Sequence, residues 1–204
     1  MGTKTHPIGF RLGITENWKS RWYSDKGYRE NVIQDYKIRR YLKDKVKTAG
    51  IAKIEIERAL NQLKIMISVV RPGMVIGRGG SGIELLKEDL LKLVGTKTDL
   101  TVEEVKDPEL SAKLMAESIV VQIEKRRRLK RVMNYTAEKV MSKGAKGVKI
   151  ICSGRLGGAE IARSEKVVRK SVPAQCLRAK IDFARATAHT TYGTVGAKVW
   201  IYKE

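Results

Sequence analysis

The stretch from Arg71 to Ile83 reads Arg-Pro-Gly-Met-Val-Ile-Gly-Arg-Gly-Gly-Ser-Gly-Ile, with Gly77, Gly79, Gly80 and Gly82 inside six positions. So few side chains let another molecule's backbone come close, and the amide N–H groups of such a loop can face a phosphate. Any fold of this chain must present that loop between ordered elements. The charge of the chain narrows the ligand: 42 Lys and Arg stand against 22 Asp and Glu in 204 residues, a formal net charge of +20. A compact state with that excess repels itself unless a polyanion neutralises it, which points to nucleic acid. An anionic membrane surface is the weaker candidate, because no long basic helix carries a bulky aromatic face.

Hydrophobic residues make up 42% of the chain, enough for one large core or two small ones and too many for a disordered basic tail. Periodicity divides the chain. Residues 1 to 17 read as an irregular basic arm. Tyr28 to Lys47 reads as a helix stopped by Gly50, and Lys53 to Arg58 alternates as a half-buried strand. A turn at Asn61-Gln62 leads to a hairpin partner over Leu63 to Val70, which Pro72-Gly73 ends. Ile83, Leu86, Leu90 and Leu93 then mark an amphipathic helix closed by Gly95, and Leu100 to Val105 a third strand.

Past Asp107-Pro108, Ser111 caps a helix carrying Leu114, Met115, Ile119, Val120 and Ile123 on one side, and a second helix runs to about Lys143. Val148 to Cys152, Val167 to Arg169, Leu177 to Thr187 and Val195 to Tyr202 read as strands. The expectation is an α+β protein: an arm over 1–17, a first domain over 18–107, and a second α+β domain over 108–204 with a roughly four-stranded sheet and packed helices. No cofactor or metal site is expected. Cys152 and Cys176 form no close ligand pair, and the longest apolar run is far too short to span a bilayer. Met1-Gly2 lacks the Ser or Thr of a myristoylation start, since His6 stands there. A reducing, cytoplasmic setting is expected.

Three readings of the glycine loop compete. Gly77 to Gly82 satisfies the dinucleotide fingerprint G-x-G-x-x-G, with Glu103 at a suitable distance, but that motif needs a strand running straight into its first glycine within a parallel βαβ unit. Pro72-Gly73 intervenes, and a hairpin is expected instead. A P-loop needs Gly-Lys-Ser/Thr, and the chain has Gly82-Ile83. The third reading is the Gly-x-x-Gly clamp of a KH domain, formed by Gly77, Arg78, Gly79 and Gly80, which holds a single strand's sugar-phosphate at a helix N-terminus. A helix–loop–helix turn that needs glycine for its geometry alone is the bland alternative.

Longer strings are more specific. Lys4 to Gly13 (Lys-Thr-His-Pro-Ile-Gly-Phe-Arg-Leu-Gly), Gly144 to Gly147, Ser153 to Glu160 and Ala188 to Gly193 together resemble the bacterial form of the universal small-subunit ribosomal protein three family, over essentially all 204 residues. The resemblance implies a type II KH domain (three-stranded sheet with helices), a place in the head of the small subunit, binding to its rRNA, a wall of the mRNA entry channel, and small-subunit proteins ten and fourteen as neighbours. A free-standing KH regulator of mRNA or an RNA chaperone is the alternative from another class, and an enzyme is a distant third.

The run Lys125-Arg126-Arg127-Arg128-Leu129-Lys130-Arg131 holds six cations in seven residues, whose repulsion RNA would relieve. A helical wheel over 127 to 141 puts Arg127, Lys130, Arg131 and Asn134 on one face, opposite Leu129, Val132, Met133, Val140 and Met141. The resemblance implies that three basic side chains on this helix help unwind mRNA. Two fall on Lys130 and Arg131, but the third falls on Asn134, so Arg127 is the candidate to compensate. The family's loop pair is often doubly basic, whereas here it is Arg78-Gly79. Lys4, His6, Arg11, Arg155 and Arg163 are candidates for rRNA contact. Trp18, Trp22 and Tyr23 are left open between packing and base stacking. Cys176 and His189 lack an oxyanion motif and are not read as catalytic.

Overall fold

The computed structural model describes residues 4–59 and 62–203. In chain order the elements are α1 (Pro7–Phe10), β1 (Ser20–Arg21), α2 (Tyr28–Lys45), β2 (Ile51–Arg58), β3 (Leu63–Val69), α3 (Pro72–Ile76), α4 (Ser81–Val94) and β4 (Thr98–Glu104). Then follow α5 (Ala112–Glu124), α6 (Leu129–Ser142), β5 (Gly147–Gly154), β6 (Arg163–Arg169), β7 (Ile181–Thr190) and β8 (Gly193–Tyr202). They group into two compact units, one of residues 18–106 and one that joins residues 1–17 to residues 107–204. Among the described residues no helix is long and apolar enough to cross a membrane.

In the 18–106 unit, the alternation of β2 sends Ile54 and Ile56 into the core and leaves Glu55 and Glu57 on the other side. β2 pairs antiparallel with β3, and the Ala59 amide donates to the Gln62 carbonyl across the hairpin end; Asn61 lies outside the described residues. Ile38 and Leu42 of α2 and Leu90 of α4 are fully buried in the same core. Two glycines end these helices in the left-handed region, Gly50 after a 3-10 turn at Lys47–Ala49 and Gly95 after α4.

Two features of this unit differ from the sequence reading. The short β1 adds a fourth strand, parallel to β2, so the order is β1-β2-β3-β4. Two residues carry too little periodicity to be seen in a sequence. The strands flanking the glycine loop, β3 and β4, are parallel rather than a hairpin, so the expected objection to a dinucleotide site is overturned in that form. The motif still fails, because α3 stands between the end of β3 and Gly77, and no strand runs into the first glycine.

In the other unit β6-β5-β8-β7 form one antiparallel sheet. Val148, Ile150 and Cys152 of β5 and Val195, Ala197, Val199 and Ile201 of β8 are buried on the side that carries α5 and α6. β6 is longer than expected, and β7 begins at Ile181 rather than Leu177, because 171–180 is a turn-rich segment.

The expected irregular arm is also corrected. Residues 7–10 make one helical turn with His6 as N-cap, and Arg11 is completely buried. Its guanidinium donates to the carbonyls of Pro7 (2.9 Å), Ala174 (3.0 Å) and Cys176 (2.6 Å). A rigid fork of donors is well matched to several convergent carbonyls, which explains why a charged residue holds this segment down.

Candidate nucleic-acid interface

The cationic run forms an elbow between α5 and α6. Leu114, Met115, Ile119 and Val120 of α5 and Val132, Met133, Ala137 and Val140 of α6 are buried, which forces the residues between the helices outward. The Arg126 amide donates to Ile123 and the Arg127 amide to Gln122, and Arg126 adopts a positive φ of 57°. For a residue with a Cβ that conformation costs about 1 kcal/mol. Lys125, Arg126, Arg127, Arg128, Lys130 and Arg131 are all exposed. Among the described residues only Lys130 has a carboxylate within reach, Glu165 at 3.9 Å, and an exposed pair at that distance contributes little.

α6 starts at Leu129, so Arg127 lies in the turn and does not share a helical face with Lys130, Arg131 and Asn134. The wheel expectation is corrected there. The positive-φ turn nevertheless brings Arg127 beside Arg131. Both line a cleft of about 520 Å³ with Gln122, Arg128, Val132 and Tyr135. Asn134 is half-buried on α6 and brings no charge. Tyr135 is 58% exposed, and this aromatic beside three arginines is a ready stacking surface that the sequence reading passed over. Its signal was its place four residues after Arg131 on a cationic helix.

On its other side the elbow opens into a second cavity of about 460 Å³, lined by Arg126, Arg127 and Arg128 together with Arg155 to Gly158 and His189 to Tyr192. Three separate strings of the sequence meet here. Arg155 is partly committed: its Nε donates to the Ala159 carbonyl at 3.0 Å and another nitrogen to the Tyr192 carbonyl. It shapes the cavity wall more than it offers a free cation. The His189 amide donates to the Glu124 carboxylate, and Cys176 sits in the 171–180 turn.

The remaining candidates are scattered. Arg163 is exposed at the start of β6. His6 packs edge-on against Phe183 at 4.9 Å and accepts the Gly9 amide at Nδ1. Lys4 is exposed and close enough to Lys149 to help lower the pKa of that lysine, after the larger effect of burial. Arg11, spent on carbonyls, is withdrawn from the rRNA candidates. Trp22 packs: its Nε1 donates to buried Asp35 at 2.9 Å, and Arg58 lies 5.9 Å over its ring. Trp18 and Tyr23 stay exposed.

The glycine loop has the geometry of a clamp. Gly77 sits at φ 71°, and a Cβ on Gly82 would lie 2.6 Å from the Val75 carbonyl oxygen, so α3 and α4 approach as closely as only glycine allows. Arg78 is exposed, and Gly79 faces open space. The electrostatics are weaker than the shape. Glu84 occupies the first turn of α4, where it already answers the helix dipole, and Glu88 and Asp89 follow.

The model of a KH domain matches residues 37–110, and that of "Ribosomal protein S3, C-terminal domain" matches residues 119–201. The small ribosomal subunit protein uS3 of Caldicellulosiruptor bescii is 52% identical, over 100% of this chain and 92% of its own length. That of Desulfitobacterium hafniense is 49% identical over 100% and 93%, and that of Lawsonia intracellularis 52% over 100% and 95%. With its KH unit, its S3 C-terminal unit and relatives matched from end to end, this chain belongs to the ribosomal protein S3 family of the small subunit.

Proposed function

We propose that the elbow between α5 and α6 is where this chain grips RNA in the small-subunit head, with α6 facing mRNA as it enters and the cavity beside Arg155 holding rRNA. The chain is a structural ribosomal protein and not an enzyme. The observation that carries the reading is the set of six exposed cations from Lys125 to Arg131, with one weak carboxylate contact among them. Contacts from such side chains to phosphates are blind to sequence, as a channel open to every message requires. Lys130 and Arg131 project from the first turn of α6 and would meet mRNA, and Arg127 supplies the charge that Asn134 lacks from the turn rather than from the helix. The Gly77–Gly80 loop is a secondary contact, and Lys4 and Arg163 are peripheral ones. The free-standing mRNA regulator is set aside, because the family match extends over both units. Neighbouring small-subunit proteins, ten and fourteen among them, complete the setting.

The test is translation through a stable mRNA hairpin by ribosomes carrying Lys130→Ala with Arg131→Ala. Slower passage through the hairpin, with normal speed on unstructured message and normal subunit assembly, is expected. Equal speed on both messages would contradict the role of α6. Asn134→Lys should speed hairpin passage above that of the unaltered protein.

A further inference from the structure

The sheet of the second unit has a side that α5 and α6 do not cover. Strand register sorts its residues into rows. Lys166, Ile151, Lys198 and Arg185 lie side by side across β6, β5, β8 and β7, and the next row is Val168, Lys149, Trp200 and Phe183. On the other flank lie Ser164, Ser153, Gly196 and Thr187. Lys166, Lys198 and Arg185 are exposed, and Lys149 lies over the Trp200 ring at 5.2 Å. The only two carboxylates of these four strands, Glu165 and Asp182, belong to the helix side. Glu165 is opposite buried Cys152, and Asp182 accepts the Ala112 amide at the start of α5.

This arrangement is costly for the protein alone. Lys198 and Arg185 are direct cross-strand partners, and like charges in that relation destabilise a sheet. No described carboxylate pairs with Lys166, Lys198 or Arg185. Lys149 feels the crowding: burial, then Lys4 and Lys166, hold its pKa below the ordinary lysine range. A row of cations held against its own repulsion, bordered by hydroxyls on one side and aromatic rings on the other, suits a phosphodiester backbone that lays its charge along the row.

We infer that this open sheet face is a second RNA-binding surface, on which Lys166, Lys198 and Arg185 hold successive phosphates and Lys149 with Trp200 borders the strand. The inference rests on the RNA-binding reading above and adds a site distinct from the elbow. α1 and His6 cover the Phe183 end of the neighbouring row, so the strand runs along the Lys166–Arg185 row on its hydroxyl side.

The test compares two variants of the full chain for binding to a 20-nucleotide oligouridine across a salt series: the face variant Lys166→Ala, Arg185→Ala, Lys198→Ala and the elbow variant Arg126→Ala, Arg127→Ala, Arg128→Ala. Three lost phosphate contacts should lower the log–log salt slope by about 2 and the affinity at 0.1 M salt by about 100-fold. The face variant should show that loss with an unchanged or higher Tm, since it removes repulsion, and Lys166→Arg with Lys198→Arg should bind as the unaltered chain does. A face variant that keeps its slope while the elbow variant loses its own would overturn this inference and leave the proposed function standing. If neither slope falls, both fail. A face variant that binds RNA normally but sheds a protein neighbour from small subunits would also overturn it, in favour of an acidic protein partner.

Discussion

The two units spend their cations differently. The 18–106 unit holds 19 Lys and Arg against 12 Asp and Glu, and the other holds 23 against 10. The counts alone suggest a modest contrast, and the placement of particular arginines gives it content. In the KH unit Arg21 pairs with Glu55 and Glu57, Arg58 pairs with Asp35 at 2.5 Å, and Arg39 donates to the Ile54 and Lys19 carbonyls. Burial would push the Glu55 carboxyl up, yet Lys53 and Arg21 outweigh it and hold it below the usual carboxylate range. In the S3 C-terminal unit the elbow arginines have no such partners among the described residues. The motif most easily read as RNA-binding thus sits on the unit where Arg21, Arg39 and Arg58 are tied to its own acids and carbonyls. Availability, more than net charge, decides where a polyanion is held.

Buried arginines provide the strongest test of that contrast. Arg11→Met should cost the second unit about 3 kcal/mol, because it leaves the buried Pro7 carbonyl and the part-buried Ala174 and Cys176 carbonyls without their guanidinium donor. Arg58→Met should cost the KH unit about 3 kcal/mol by leaving Asp35 with only Ser20 and Trp22. Hydrogen exchange read on β7–β8 amides for the first and β2–β3 amides for the second would measure each. Equal loss in both units from either change would break the claim that the guanidiniums act locally. Next in size is the loop. Gly82→Ala should destabilise the α3–α4 junction by about 2 kcal/mol, since its Cβ meets backbone, whereas Gly79→Ala, in open space at φ 62°, should cost about 1 kcal/mol. Protection of the α4 amides reports both.

Much of this was legible in the sequence because periodicity carries it. The helices ended at Gly50 and Gly95, and the alternation of β2, are local signals. The type II KH fold and the second α+β unit followed from element order and the resemblance, and the family match bears both out. What escaped were consequences of long-range contact. The parallel pairing of β3 with β4 depends on a crossover, not on either strand's pattern. Burial of Arg11 depends on carbonyls more than 160 residues away. Arg127 joined Arg131 through a positive-φ turn that no helical wheel represents. Asp35 in the middle of a polar helix gave no hint that Ser20, Trp22 and Arg58 converge on it.

The smallest expected effect concerns the cysteines. Burial, with Glu165 nearby, pushes the Cys152 thiol up to about 12, while Cys176 is exposed. A maleimide at pH 8 should label Cys176 promptly and Cys152 only as fast as its sheet opens. The unfolded thiol ionises near 8.5, so this group's contribution to stability is complete below that pH and is lost as pH climbs toward about 12. Equal labelling rates would mean that the sheet of the second unit opens far more readily than its packing implies.

The most direct measurement is the salt dependence of oligouridine binding by the full chain, with Arg126→Ala, Arg127→Ala, Arg128→Ala set beside Arg78→Ala. The elbow variant should flatten the log–log slope by about 2 and the glycine-loop variant by about 0.7 or less. A slope that survives loss of the elbow arginines but collapses with Arg78 would place the grip on RNA in the KH unit and contradict the account.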